Sequence, residues 1–255
     1  MNKITKYIIL DILKSKVVIV YMLLMFTTAI ALFSLDDNSQ KGLLSLLNII
    51  LYLVPIICLI YTTTYLFNSS EFIELLLSQP VSRSKIINSI YSGVVCSLVT
   101  AYLIGIGLPV IIYSPDVTGF LFLLTGVILT FIFTSLSFLV TVMTRDKSRG
   151  IGLAVLLWFF FTIIYDGLLL LITFQWSDYP IEKLIMVLTA FNPVDLSRIF
   201  ILIHTDYAAM MGYSGALFNE FLGSNTGSVI LLITLIFWAI VPARIAWLKF
   251  RKKDL

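Results

Sequence analysis

The sequence predicts an all-α integral membrane protein. It has six transmembrane helices, both termini cytoplasmic, a cytosolic helix between helices two and three, and a long helical extracytoplasmic loop between helices five and six. Three observations predict it. First, 60% of the 255 residues are hydrophobic, only 12% are charged, and the mean hydropathy is +1.04, whereas soluble domains carry about 45–50% apolar and about 25% charged residues. Second, the apolar residues gather in six runs, each near the ~20 helical residues needed to cross ~30 Å of hydrocarbon. Third, Lys and Arg segregate to alternate connections. Residues 1–255 are read as a single transmembrane domain, with no internal repeat.

The runs lie at about 17–35, 42–67, 87–113, 119–144, 150–174 and 228–248. In lipid each backbone must satisfy its own hydrogen bonds, so each run is a helix. Lys3, Lys6, Lys14 and Lys16 precede the first run, and Ala29-Ile30-Ala31 resembles a signal-peptidase site. Leu32 and Phe33 continue the apolar run past it, so the segment reads as an uncleaved first span. With the N-terminus inside, segments 1–16, 68–86, 145–149 and 249–255 carry most of the 17 cations, and Arg244 can snorkel toward that side. Only Lys41, Lys183 and Arg198 fall outside, where Asp36, Asp37, Asp116, Asp178, Glu182, Asp195, Asp206 and Glu220 also lie. Cys58 and Cys96 sit within apolar runs, so they read as packing residues rather than a disulfide framework.

Two connections are long. The inner one, 68–86, starts a helix at Ser69-Ser70-Glu71 and stops it at Pro80. Phe72, Ile73, Leu76 and Leu77 share one face and Glu71, Glu74 and Ser78 the other, with Leu75 blurring the pattern. Arg83 and Lys85 anchor the return into lipid. An exposed apolar face wants a partner, either the membrane lipid or another protein. The outer connection, 175–227, contains Asn192, Pro193 and Asp195 in the order of a helix cap, a first-turn proline and an anion at the positive helix end. Leu196, Ile199, Phe200 and Ile203 then form an apolar stripe. This reads either as a helix in the outer interface or as a docking surface.

The run Leu75-Leu76-Leu77-Ser78-Gln79-Pro80-Val81-Ser82-Arg83 resembles the segment between spans two and three of type-2 ABC exporter permeases. That family usually has acidic residues and a Gly-Thr pair just before the leucines, where this chain has Asn68 to Phe72. The resemblance implies a coupling helix that seats in an ATP-binding subunit, with Glu71, Phe72, Ile73, Glu74, Leu76, Leu77, Pro80 and Arg83 in the contact. No Gly-Lys dipeptide occurs, so the chain has no P-loop. The resemblance therefore implies ATP and Mg on a separate ATPase subunit, a second copy of this chain, no cofactor on the chain itself, and no nucleic-acid partner.

A second set of residues resembles the NosY family, the permeases of the ABC complex for maturation of copper-containing nitrous oxide reductase. It comprises Tyr165-Asp166-Gly167 in span five, Asn192-Pro193-Val194-Asp195-Leu196-Ser197-Arg198 in the loop, and Met211-Gly212 beyond. This resemblance implies a bacterial inner-membrane location. It also implies a periplasmic beta-helical partner docked on Asn192, Pro193, Asp195, Arg198, Met211 and Gly212. The alternative is an ABC exporter permease for a lipid, peptide or antibiotic.

Two residues stand apart. Asp166 lies in span five, roughly 12 Å from its outer end at 1.5 Å per residue. An ionisable group there is a functional candidate, or else a carboxyl bonded to a neighbouring helix or reached by water. His204, the sole histidine, could share a helical face with Met211 and form a soft copper pair; a surface histidine is the plainer reading. With Asp166 alone at bilayer depth and no H-E-x-x-H or G-x-S-x-G motif, an intramembrane enzyme is not expected.

Overall fold

Apolar runs of this length can only be helices in lipid, and helices are what the chain forms. The computed structural model describes residues 3–35, 39–80, 82–176, 179, 182–205 and 225–252. The described helices are α1 (Lys3–Leu13), α2 (Lys16–Leu35), α3 (Ser39–Asn68), α4 (Ser70–Leu77), α5 (Arg83–Tyr113), α6 (Val117–Met143), α7 (Lys147–Gln175), α8 (Glu182–Thr189), α9 (Pro193–Leu202) and α10 (Asn225–Lys252). Six of them, α2, α3, α5, α6, α7 and α10, are long and apolar enough to cross a membrane. They match the six expected runs to within four residues at each end. The extra length at several starts carries Lys16, Arg83 and Lys147 on first turns.

The chain has a basic end and an acidic end. At the basic end the Tyr7 and Phe72 rings lie 5.7 Å apart. Lys147 Nζ donates to Asn68 Oδ1 at 2.7 Å, and Arg83 Nη1 donates to the Arg251 carbonyl at 3.5 Å. At the acidic end Phe33 stacks on Tyr113 with centroids 5.2 Å apart. There Asp116 caps α6 by accepting from the Gly119 N–H at 3.1 Å.

Helix α6 is the axis. It is buried over most of its length, with α3 along one side and α10 along another. Small hydroxyl residues let backbones approach and bond across helices where no water competes. Thr63 and Ser137 hydroxyls meet at 2.8 Å, Ser137 donates to the Leu59 carbonyl at 3.1 Å, and the Tyr91 hydroxyl meets Ser135 at 2.8 Å. Gly126 faces the fully buried Tyr102, so a Cβ there would overlap the phenol ring and its hydroxyl.

Two features were not expected. The lysine-rich start is a helix, α1, that lays Thr5, Ile8 and Ile12 against α5 and leaves its lysines outward. The i, i+3, i+7 spacing of those three residues carried that signal. Two spans also contain a π turn. In α5 the turn Leu103–Gly107 immediately precedes Leu108-Pro109. A proline lacks an N–H and its ring crowds the carbonyl four residues back, and a wider turn gives it room. Pro55 and Pro242 sit inside α3 and α10 with no such turn. The second π turn, Phe160–Ile164 in α7, has no proline.

Substituting Gly126→Ala forces the Tyr102 ring to move and should cost about 1–3 kcal/mol through overpacking. Gly152→Ala, where nothing lies within 4 Å, should leave stability unchanged or slightly raised. Thermal unfolding of the detergent-purified variants, followed side by side, checks the contrast.

Candidate functional site

Helix α4 begins with Ser69 as its N-cap residue, although the Ser69 side chain makes no capping bond. Glu71 lies in the first turn, where the helix dipole favours an anion. The helix ends at Leu77, and Gln79 N–H still reaches the Leu76 carbonyl at 3.3 Å before Pro80 prevents continuation. Phe72, Ile73 and Leu77 are half-buried and Leu76 is buried; the helix packs on α3 and α5, and the Phe72 ring meets Tyr7 of α1. This corrects one expectation. The apolar face does not wait for a partner, because the chain's own bundle covers it. The face turned to solvent carries Glu71, Glu74, Ser78 and Leu75, and Leu75 is 65% exposed. Leu75, which blurred the sequence pattern, is thus the apolar group on the free face. Pro80 and Arg83 are exposed beyond it. Behind α4 lies a cavity of about 450 Å³, lined by Leu66, Ile73, Ile87 and Phe138 among others, with Glu74 and Arg145 on its rim.

At the other end α8 and α9 turn back into the bundle. Nine of the ten residues of α9 are buried, against α6, α10, α3 and the π turn of α7. Asn192 directs this elbow. Its Oδ1 accepts from the Val194 N–H at 3.0 Å, the expected cap. Its Nδ2 donates to the Phe161 carbonyl at 2.9 Å and to Asp195 Oδ2 at 2.7 Å. Arg198 Nη1 then bridges Asp195 Oδ1 at 3.3 Å and Asp166 Oδ2 at 3.2 Å. Around this core the Tyr165 hydroxyl donates to the Leu188 carbonyl at 2.5 Å, and Trp238 Nε1 to the Ala190 carbonyl at 3.1 Å. Phe161 packs edge-on against Trp238, centroids 5.6 Å apart. Sequence alone gives Trp238 no role and Tyr165 only a place in the family resemblance. Their signal was an aromatic ring with a polar tip inside a span, which usually finds a partner when buried.

The geometry corrects the expected docking set. Asn192, Pro193 and Asp195 are buried within the chain, and Arg198 is spent on two carboxylates. They fasten α9 to α7, and of the four only Arg198 keeps part of its side chain, 26%, exposed. Asp166 takes the reading of a carboxyl bonded to a neighbouring helix. Two carboxyls facing one guanidinium leave an excess negative charge unless one keeps a proton. Burial first, and then the adjacent Asp166, raise Asp195 above the usual carboxylate range, against the opposing pull of Arg198 and Asn192.

His204 is occupied at both ring nitrogens. Nδ1 lies 2.7 Å from the Phe200 carbonyl and Nε2 lies 3.2 Å from the Ser228 hydroxyl. Met211 and Gly212 lie outside the described residues. Among the described residues no group of three His, Cys, Asp or Glu side chains could hold a metal ion.

A six-span helical chain with a short helix between spans two and three invites comparison with transport proteins. Residues 9–255 match the family described as ABC-2 family transporter protein. The chain belongs to this ABC-2 family. It is similar to the probable ABC transporter permease protein NosY of Pseudomonas aeruginosa, 28% identical over 180 residues, 66% of each chain. It is similar also to the probable NosY permease of Stutzerimonas stutzeri, 26% identical over 223 residues, 82% of this chain and 79% of that one. The resemblance to NosY permeases therefore holds over most of the chain. As an ABC-2 family member with six apolar spans it is a multi-pass protein of the bacterial inner membrane, a transporter component rather than a free-standing enzyme.

Arg198→Ala leaves two carboxyls facing each other and should cost on the order of 3 kcal/mol; Asp166→Asn in the same chain should recover part of it. Unfolding in a denaturing detergent series reads both. Because the raised Asp195 holds a proton that the unfolded chain releases, stability should fall as pH climbs from the ordinary carboxylate range toward the raised value. Asp195→Asn should flatten that slope.

Proposed function

We propose that the chain is the permease subunit of an ABC complex that serves copper-site maturation of nitrous oxide reductase. In this reading the basic end is cytoplasmic, since Lys and Arg crowd that end of the bundle. A separate ATPase subunit holds ATP and Mg, and this chain binds no cofactor of its own. Two permease chains and two ATPase chains form the complex. The NosY likeness over most of the chain is the observation that carries the proposal.

Helix α4 is the coupling helix of the proposal. Its inner face, Phe72, Ile73, Leu76 and Leu77, ties it to α1, α3 and α5, so a push on α4 moves three helices together. Its outer face, Glu71, Glu74 and Leu75 with Pro80 and Arg83 beyond, is the surface offered to the ATPase. At the acidic end a periplasmic beta-helical partner meets exposed groups rather than the buried elbow. Leu184, Val187 and Phe191, all exposed and spaced i, i+3, i+7, supply such a face on and just beyond α8.

Affinity purification of the C-terminally tagged chain from its native membrane tests the reading. Recovery of both an ATPase subunit and a beta-helical periplasmic protein supports it; the ATPase alone would point to an exporter of a lipid, peptide or antibiotic; neither would remove α4 as a coupling element. Leu75→Asp should cut ATPase recovery at least tenfold with thermal stability intact. Phe72→Ala should lower stability first, by about 3–5 kcal/mol if fully buried and less here.

A further inference from the structure

Near the basic end a groove of about 510 Å³ opens between α5, α6 and α10. Asn88 and Tyr91 of α5, Phe131 of α6, and Ile240, Ala243 and Arg244 of α10 line it. By rise along the helices it runs from about 8 to about 18 Å inward from that end. Its polar groups gather at the shallow part, and the deep part is apolar.

Arg244 sets the chemistry. It lies eight residues before the end of α10, about 12 Å along the axis. Among the described residues no carboxylate lines the groove. Among the described residues no ion pair or hydrogen bond engages its guanidinium, in contrast to Arg198 with its two carboxylates. The rim is basic as well: Arg251 stacks 4.7 Å over the Trp247 ring, and Arg83 reaches the Arg251 carbonyl. A cation at this depth is costly without an anion beside it. An apolar trough leading away from it suits an acyl chain.

We propose that an anionic glycerophospholipid of the leaflet at the basic end occupies this groove, its phosphate on Arg244 and Asn88 and one acyl chain along Phe131 and Ile240. Basic pockets between spans on the cytoplasmic side commonly take anionic headgroups. Ile87 and Phe138 line both this groove and the cavity behind α4. A seated chain therefore buttresses the floor on which α4 rests.

The test is native mass spectrometry of the full chain released from nanodiscs of equal phosphatidylglycerol and phosphatidylcholine. Wild type should retain phosphatidylglycerol in preference. Arg244→Gln should lower that retention about fivefold, the worth of one basic group near the surface, and Arg244→Lys should keep most of it. Ala243→Phe keeps the charge but fills the trough, and should lower retention as well; Ala239→Leu serves if that variant misfolds. Unchanged retention in Arg244→Gln would overturn the proposal, since the arginine then reaches solvent. A loss in Arg244→Gln with none in the filled variants would overturn the groove as the site. Loss of dimer with lipid unchanged in the filled variants would assign this face to a second copy instead.

Discussion

Hydrocarbon offers no hydrogen bonds, and that absence organises this protein from one end to the other. The spans must be helices, most of their hydroxyl residues bond back to their own turns or to a neighbour, and a charge that enters is costly without a counter-charge. Arg198 shows the rule most clearly. It joins Asp166 of α7 to Asp195 of α9, and Asn192 closes the set by binding both Asp195 and the Phe161 carbonyl. Without that network, α9 would carry an arginine and a carboxylate into the bundle unmatched. With it, a loop segment becomes part of the core.

The two π turns lie where the helices have other tasks. The one in α5 accommodates Pro109 and, through Gly105, lets the Met22 backbone come within 3.0 Å of where a Cβ would sit. The one in α7 presents Phe161, whose carbonyl receives Asn192 and whose ring meets Trp238. Helix α7 is otherwise little covered by the rest of the chain. Its hold on the bundle rests on α3 near the basic end and on this aromatic and polar joint farther along. A helix held at two places is suited to relay displacement between them.

At the basic end the same logic acts through burial. Helix α4 is short, and an isolated helix of eight residues is not stable in water. Packing Phe72, Ile73, Leu76 and Leu77 on α1, α3 and α5 supplies what local propensity cannot. That packing also decides which side chains remain free. Leu75 and the two glutamates face outward because the other side of the helix is already taken.

The sequence by itself determined the spans, the segregation of charge, the short helix before Pro80 and the cap at Asn192. These follow from length, composition and spacing along one helix, which are local quantities. It did not determine what covers a face. Periodicity shows that Phe72 and Leu76 lie together, yet whether α1 or another molecule packs there depends on residues far away in the chain. Likewise Asp166 and Arg198 are 32 positions apart, and nothing between them in the sequence announces their ion pair. The Asn-Pro-x-Asp-x-x-Arg run looks like a surface motif because it is polar and lies in a connection. Only the return of α9 against α7 turns those polar groups inward, since in lipid they are stable only where they satisfy one another.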